Sequence, residues 1–283
     1  MTKIQFYGCG IPQFTETELP GRLIVLEGTD GVGRSTQTAM LKQWLEASGF
    51  AVLDTGLTRS MLAGKGLKKA KAGHTLGPKT MDLFYATDFA DRLEHEMIPA
   101  LRAGFVVLTD RYIYSTIARA IVRGANPDWI KSVYGFALKP DAVFYLKIDL
   151  ERLIPRVLMS TGFDYWESGM DFVSGEDMFE CFKVYQTRLL TTFDDLAVEY
   201  GFETVDATQS VNRVFATLQR KIKKIIPRTP FVASAQAFEF SNAIVREKAM
   251  EPVGGYEKKQ PLHKEGKTEP PPKPARASKR VVG

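Results

Sequence analysis

Cysteine is almost missing from this chain: Cys9 and Cys181 are the only two among 283 residues. Two thiols so far apart, without C-x-x-C spacing, build neither a disulfide framework nor a zinc site, and a reducing cytoplasm is the expected compartment. Long apolar runs are missing too. No stretch approaches the roughly 20 apolar residues that a membrane-spanning helix needs, so no membrane partner is expected. The opening MTKIQFYGCGIPQF has no apolar h-region followed by a small-residue cleavage site, and no signal peptide is expected. No internal repeat stands out.

What is present is an ordinary globular composition, 44% apolar and 25% charged. The length suits one large α/β domain with appendages, or two small domains. The net charge of +5 is unevenly placed: residues 227–283 carry eleven Lys and Arg against six Glu, whereas 1–226 balances 27 against 27. A neutral core argues against nucleic-acid binding by that core, and the basic excess belongs to a tail whose partner the sequence does not name. Eight of the fifteen prolines lie in 227–283. Its KTEPPPKPARASKR stretch is too polar and Pro-rich to bury a core, so a largely disordered C-terminal tail is expected there. Within it, 231–250 is apolar enough to dock as a helix. Residues 1–20, with Gly8, Gly10, Pro12 and Pro20, read as an irregular N-terminal extension.

Between these ends, short apolar runs alternate with helical patterns. RLIVLEG (22–28) reads as a buried strand ending in glycine. A helix follows from about Gly33, with Met40, Leu41, Trp44 and Leu45 at helical spacing and Gly49 as its stop. Further strands are expected at 50–55, 105–110, 142–149 and 203–207. Helices are expected at 80–102, near 115–123 and 127–138, at 151–159, 175–200 and 211–226, with a Gly- and Lys-rich loop at 56–79 that has room for a short helix. This alternation implies parallel βαβ units: an α/β fold with a parallel sheet flanked by helices, in three layers, over 21–226.

The most specific motif is Gly28-Thr29-Asp30-Gly31-Val32-Gly33-Arg34-Ser35, set between a strand and a helix. It matches G-x-x-x-x-G-K-[ST] with arginine in the lysine's place. Glycines let backbone N–H groups curl around phosphate oxygens. The helix N-terminus behind them adds partial positive charge, and the Ser35 hydroxyl suits Mg²⁺. These residues, with Thr36, form the expected nucleotide-binding loop, and ATP and Mg²⁺ are its expected ligands. Arg34 keeps the lysine's charge but is planar, longer and differently hydrated.

The wider pattern resembles the thymidylate kinase family. EGTDGVGRSTQ (27–37) is similar to that family's E-G-x-D-G-x-G-K-S-T-Q, and Thr109-Asp110-Arg111-Tyr112 followed by Ser115 resembles its D-R-Y-x-x-S block. Pro99-Ala100-Leu101 before Gly104, Lys139-Pro140-Asp141 before a strand, and Val205-Asp206-Ala207 also fall on family motifs. The resemblance implies a P-loop nucleoside-monophosphate-kinase-like fold over about 21–226, transfer of the ATP γ-phosphate to dTMP, and a homodimer. It implies that Asp30 contacts the acceptor's sugar hydroxyl, that Asp110 joins Ser35 around Mg²⁺ or its waters, and that Arg111 holds the acceptor phosphate. Structural alternatives stay open: Asp30 as a turn aspartate, and Asp110 with Arg111 as a buried ion pair. Tyr85 falls where the family stacks an aromatic residue on thymine, or it is core.

The departures from the family are specific. Counting back from Pro99, Phe89 takes the place of a base-contacting arginine, with Arg92 one turn later as a substitute. Ala120 stands where the family often has a polar residue near the base. Arg59 is displaced from the family's T-R-E-P-G-G. Of the lid arginines, Arg156 matches, but VLMSTGF and Asp164-Tyr165-Trp166-Glu167 follow it in place of the others. The catalytic expectation therefore rests on Arg34, Asp110, Arg111 and Arg156. A second reading, a non-catalytic nucleotide-binding module with a regulatory role, stays open beside it.

Overall fold

The structure, a computed structural model, describes residues 2–14, 18–160, 162–174 and 177–227. The expected tail from 228 onward, including 231–250, lies outside the described residues. The chain begins with β1 (Thr2–Lys3), a 3₁₀ turn at Pro12–Phe14 and β2 (Glu18–Leu19), then enters the domain through β3 (Arg22–Glu27) and α1 (Arg34–Ala47). β4 (Val52–Gly56), α2 (Gly64–Gly73) and α3 (Pro78–Arg92) follow. A π-helical turn at Leu93–Met97 joins α3 to α4 (Ile98–Arg102), and then come β5 (Val106–Asp110), α5 (Ile113–Val122) and α6 (Pro127–Val133). The described chain closes with β6 (Ala142–Lys147), α7 (Leu150–Met159), α8 (Met178–Tyr200), β7 (Glu203–Asp206) and α9 (Val211–Ile222).

The main sheet has five strands in the order β4-β5-β3-β6-β7, every pair parallel. The central strands β3, β5 and β6 are largely apolar because both faces are covered, and successive residues point to opposite faces. Leu23, Val25, Val107 and Tyr145 pack on one side with Phe89, Leu93, Ile117, Leu189 and Phe193. Ile24, Leu26, Leu108, Phe144 and Leu146 pack on the other with Leu41, Leu45, Leu153, Leu218 and Ile222. This is the three-layer arrangement expected from the sequence. Since β3 has β5 on one side and β6 on the other, the crevice at its carboxyl end is where such sheets take ligands. Register matters here: Leu26 pairs with Asp110, which brings the end of β5 beside the glycine loop after β3.

Two local readings change. The single helix expected at 80–102 is interrupted by the π turn, just ahead of Pro99. Proline has no N–H for the helical ladder, and one widened turn accommodates that loss. The described residues of the lead-in, irregular apart from β1, β2 and the 3₁₀ turn, are docked on the domain. Tyr7 N donates to Ala137 O at 3.1 Å, Gly8 N to Gly135 O at 2.7 Å and Lys139 N to Gln5 O at 2.7 Å. A Cβ on Gly8 would lie 2.9 Å from Gly135 Cα, so glycine permits this approach. Among the described residues no helix is long and apolar enough to cross a membrane.

Candidate active site

The loop after β3 turns on glycines in the left-handed region: Gly31 has φ 79° and Gly33 φ 101°. A Cβ on Gly31 would sit 2.6 Å from Val157 Cγ2 on α7, so glycine lets the loop backbone pack directly against the Val157 side chain. Arg34 and Ser35 open α1. The Ser35 hydroxyl donates to Asp110 Oδ2 at 2.8 Å. A hydroxyl and a carboxylate at that separation, beside a glycine loop and a 14-residue helix, suit a hard divalent cation and a nucleotide phosphate. Arg34 is buried and folds back over its own loop. Its Nη1 donates to the carbonyls of Gly28 and Thr29, its Nε to Asp110 Oδ1 at 2.7 Å, and its Nη2 lies 3.5 Å from Asp30 Oδ1. Arg156 on α7 reaches the loop as well, through Val32 O at 3.4 Å.

Glu27, the last residue of β3, is fully buried and ties this loop to the start of α5. One carboxylate oxygen accepts from Tyr112 N at 2.8 Å and Ser115 N at 3.3 Å, and the other accepts from the Ser115 hydroxyl at 2.6 Å. Burial pushes the Glu27 carboxyl up, with the Ser115 bond pulling against it. Between β5 and α5, Arg111 has φ 73°, a left-handed backbone that costs a non-glycine residue energy. Neighbours fix it there: Arg111 N donates to Leu26 O at 3.0 Å and the Thr109 hydroxyl to Arg111 O at 2.7 Å. The guanidinium so aimed pairs closely with Asp30, which also takes Arg119 Nη2 at 2.5 Å. Burial, and next the charge of Arg119, hold Arg111 down to about 9.

Beyond Arg119 opens a cavity of about 620 Å³. Met81, Asp82 and Tyr85 of α3 form one wall, and Thr116 and Ala120 of α5, with Arg123 just past its end, form another. The segment 162–174 covers it. Trp166 stacks on His74 at 5.1 Å and 17°, and its Nε1 donates to Lys71 O at 3.2 Å. Arg123 holds the same segment, pairing with Asp171 at 2.8 Å and donating to Trp166 O at 2.9 Å. Asp82 has no hydrogen bond or direct ion pair among the described residues. Its carboxyl is pushed up to about 6 by burial, against the pull of Arg123.

The residues expected from the sequence therefore divide. Asp30, Arg34, Ser35, Asp110, Arg111 and Arg156 converge at the loop, and Tyr85 lines the cavity. Phe89 does not line it: it is 1% exposed and packs edge-on against Tyr112 and Tyr134 at ring distances of 5.0 and 5.9 Å. Arg92 is buried with its Nε 3.1 Å from Asp88 Oδ2, again in the core. Asp88 is used elsewhere too, accepting from the backbone N–H groups of Thr58 and Ser60 at 3.0 Å each. Sequence reasoning passed over Arg119 and Arg123, although two arginines four apart in the apolar run IYSTIARAIVR signal one polar stripe on a helix. Nothing local signals the Trp166–His74 stack.

A glycine phosphate loop at the carboxyl end of a central parallel strand, with a hydroxyl–carboxylate pair beside it and a covered cavity opposite, defines a phosphotransferase of the P-loop class. A family model for thymidylate kinase matches residues 26–218. The chain is 36% identical over 208 residues to a protein of Saccharolobus solfataricus named probable thymidylate kinase 2, covering 73% of this chain and 95% of that one. It is 33% identical over 205 residues to a probable thymidylate kinase of Methanocaldococcus jannaschii, covering 71% and 96%. With a thymidylate kinase of Bifidobacterium longum it shares 30% over 217 residues, covering 72% and 98%. The chain belongs to the thymidylate kinase family.

Proposed function

We propose that this chain transfers the γ-phosphoryl group of ATP to dTMP, giving dTDP. The observation that carries the reading is convergence: the glycine loop, the Ser35–Asp110 pair and the Asp30–Arg111 pair meet at one place, and Arg119, paired with Asp30, lines the adjoining cavity whose wall includes Tyr85. Bound Mg-ATP supplies the transferable phosphoryl group and part of the charge neutralisation it needs. The chain's own work is positioning and charge stabilisation. Backbone N–H groups from Gly28 to Thr36 hold donor phosphate oxygens, and Ser35 and Asp110 hold the cation. Arg34 and Arg156 offset negative charge beside the loop. Arg111 holds the acceptor phosphate, Asp30 takes the sugar hydroxyl, and Tyr85 stacks on the base. Phe89 lies in the core and Ala120 offers no polar group, so the polar side chains on the cavity wall nearest Tyr85 include Asp82 and Thr116.

A specific observation favours the second reading, a nucleotide-binding module without turnover. Arg34 directs its donors to loop carbonyls, and the segment 162–174 carries no arginine. Purified protein with ATP, Mg²⁺ and a panel of nucleoside monophosphates decides between them. Diphosphate formed fastest from dTMP supports the kinase. Nucleotide binding without any diphosphate selects the module.

A further inference from the structure

Around Asp30, beside the cavity, guanidinium groups outnumber the carboxylates they pair with. Asp30 is faced by Arg34, Arg111 and Arg119, and of these only Arg34 reaches a second carboxylate, Asp110. Arg111 and Arg119 share one negative charge between them, with Glu167 and Glu27 acting on Arg111 only from farther off. Arg111 Nε is buried without a hydrogen-bond partner. Arg119 lines the cavity from α5, a helix anchored to β3 through Glu27, and its side chain is 18% exposed. Two guanidiniums against a single carboxylate leave an excess of positive charge and unused donors. A phosphate group with close to two negative charges at neutral pH would satisfy both.

The geometry points to Arg119 as a second phosphate-holding residue of the acceptor site, acting with Arg111 from the opposite side of Asp30. This rests on the acceptor reading above and adds to it. The covering segment brings no arginine to the cavity, so α5 supplies the additional cation from within the domain. A guanidinium can accept this role where a lysine ammonium cannot fully, because its planar fork bonds two oxygens at once.

Titration calorimetry with dTMP and with thymidine, which lacks the phosphate, tests it on the full chain. Arg119→Gln should weaken dTMP by about 10- to 100-fold and leave thymidine affinity within about twofold. Arg119→Lys should recover part of that loss, and should Arg119→Gln fail to fold, Arg119→Lys carries the comparison by itself with a smaller loss confined to dTMP. Equal losses for both ligands would mean that Arg119 only braces Asp30, and undiminished dTMP affinity would likewise overturn the assignment. A wild-type chain that binds dTMP no more tightly than thymidine would sink the acceptor reading itself, and this inference with it.

Discussion

At the loop end of the cavity almost every polar side chain is committed: Ser35 to Asp110, Arg34 to two loop carbonyls and Asp110, Arg111 and Arg119 to Asp30, and Glu27 to the start of α5. At the far end, around Asp82, Tyr85 and Ala120, the wall mixes apolar side chains with a few polar ones such as Thr116 and Asn126, and Asp82 has no direct partner among the described residues. In the proposed reading the first region receives highly charged phosphates, which fixed donors serve without reorganising, and the second receives a flat base, for which an aromatic face is suited. Charge is tied down where chemistry is expected, and selectivity is left to a lightly polar wall.

The largest test of this contrast concerns the two rings on α3. Phe89→Ala should lower stability by about 3–5 kcal/mol while dTMP affinity stays within about twofold, because Phe89 is core. Tyr85→Ala should do the reverse, weakening dTMP by about 1–3 kcal/mol as a lost stacking face with little change in melting temperature. Calorimetry and thermal melts on both variants separate the two, and an exchange of these outcomes would move the base site elsewhere. Next comes Arg34. Arg34→Ala should cut turnover by at least about 100-fold, near 2.7 kcal/mol of barrier, whereas Arg34→Lys should retain or raise it. A rate for Arg34→Ala within about twofold of wild type would mean that Arg34 serves the loop's shape and not the reaction.

A smaller effect should come from Asp82. Its carboxyl, raised to about 6 chiefly by burial, favours the fold while protonated. That contribution is complete below the usual carboxylate range and lost as pH climbs through about 6. Melting temperatures of Asp82→Asn relative to wild type should therefore move in the variant's favour between about pH 5 and pH 7.5. A flat difference would mean that Asp82 is fully hydrated. The smallest expected change is none. A chain ending at Ile226 keeps the Ile225 carbonyl that accepts Arg22 Nε at 3.3 Å. It should keep its melting temperature and nucleotide affinity, and aggregation of that shorter chain would show that the tail covers part of the domain.

How far these regions were legible from the residues follows the same division. The glycine loop and Ser35 could be read because their geometry is dictated by near neighbours, glycines that tolerate positive φ and a helix that must start after them, whereas Asp110 and Arg111 stood out through resemblance to the D-R-Y-x-x-S block. Tyr85 and Phe89 share a helix face at a spacing of four, and periodicity alone does not say where the cavity stops and the core begins. Packing decides it, with Tyr112 and Tyr134 closing over Phe89.

By itself, then, the sequence determined the alternation of strands and helices and the phosphate loop, both of which depend on short-range backbone preferences and apolar periodicity, and, through resemblance, the block that ends β5. Only the tertiary structure decided that residues 5–10 dock beside 135–139, that Trp166 closes on His74, and that Arg119 meets Asp30 across 89 residues of chain. Such pairings depend on how helices seat on the sheet, and no local propensity encodes the distance between two side chains brought together by that packing.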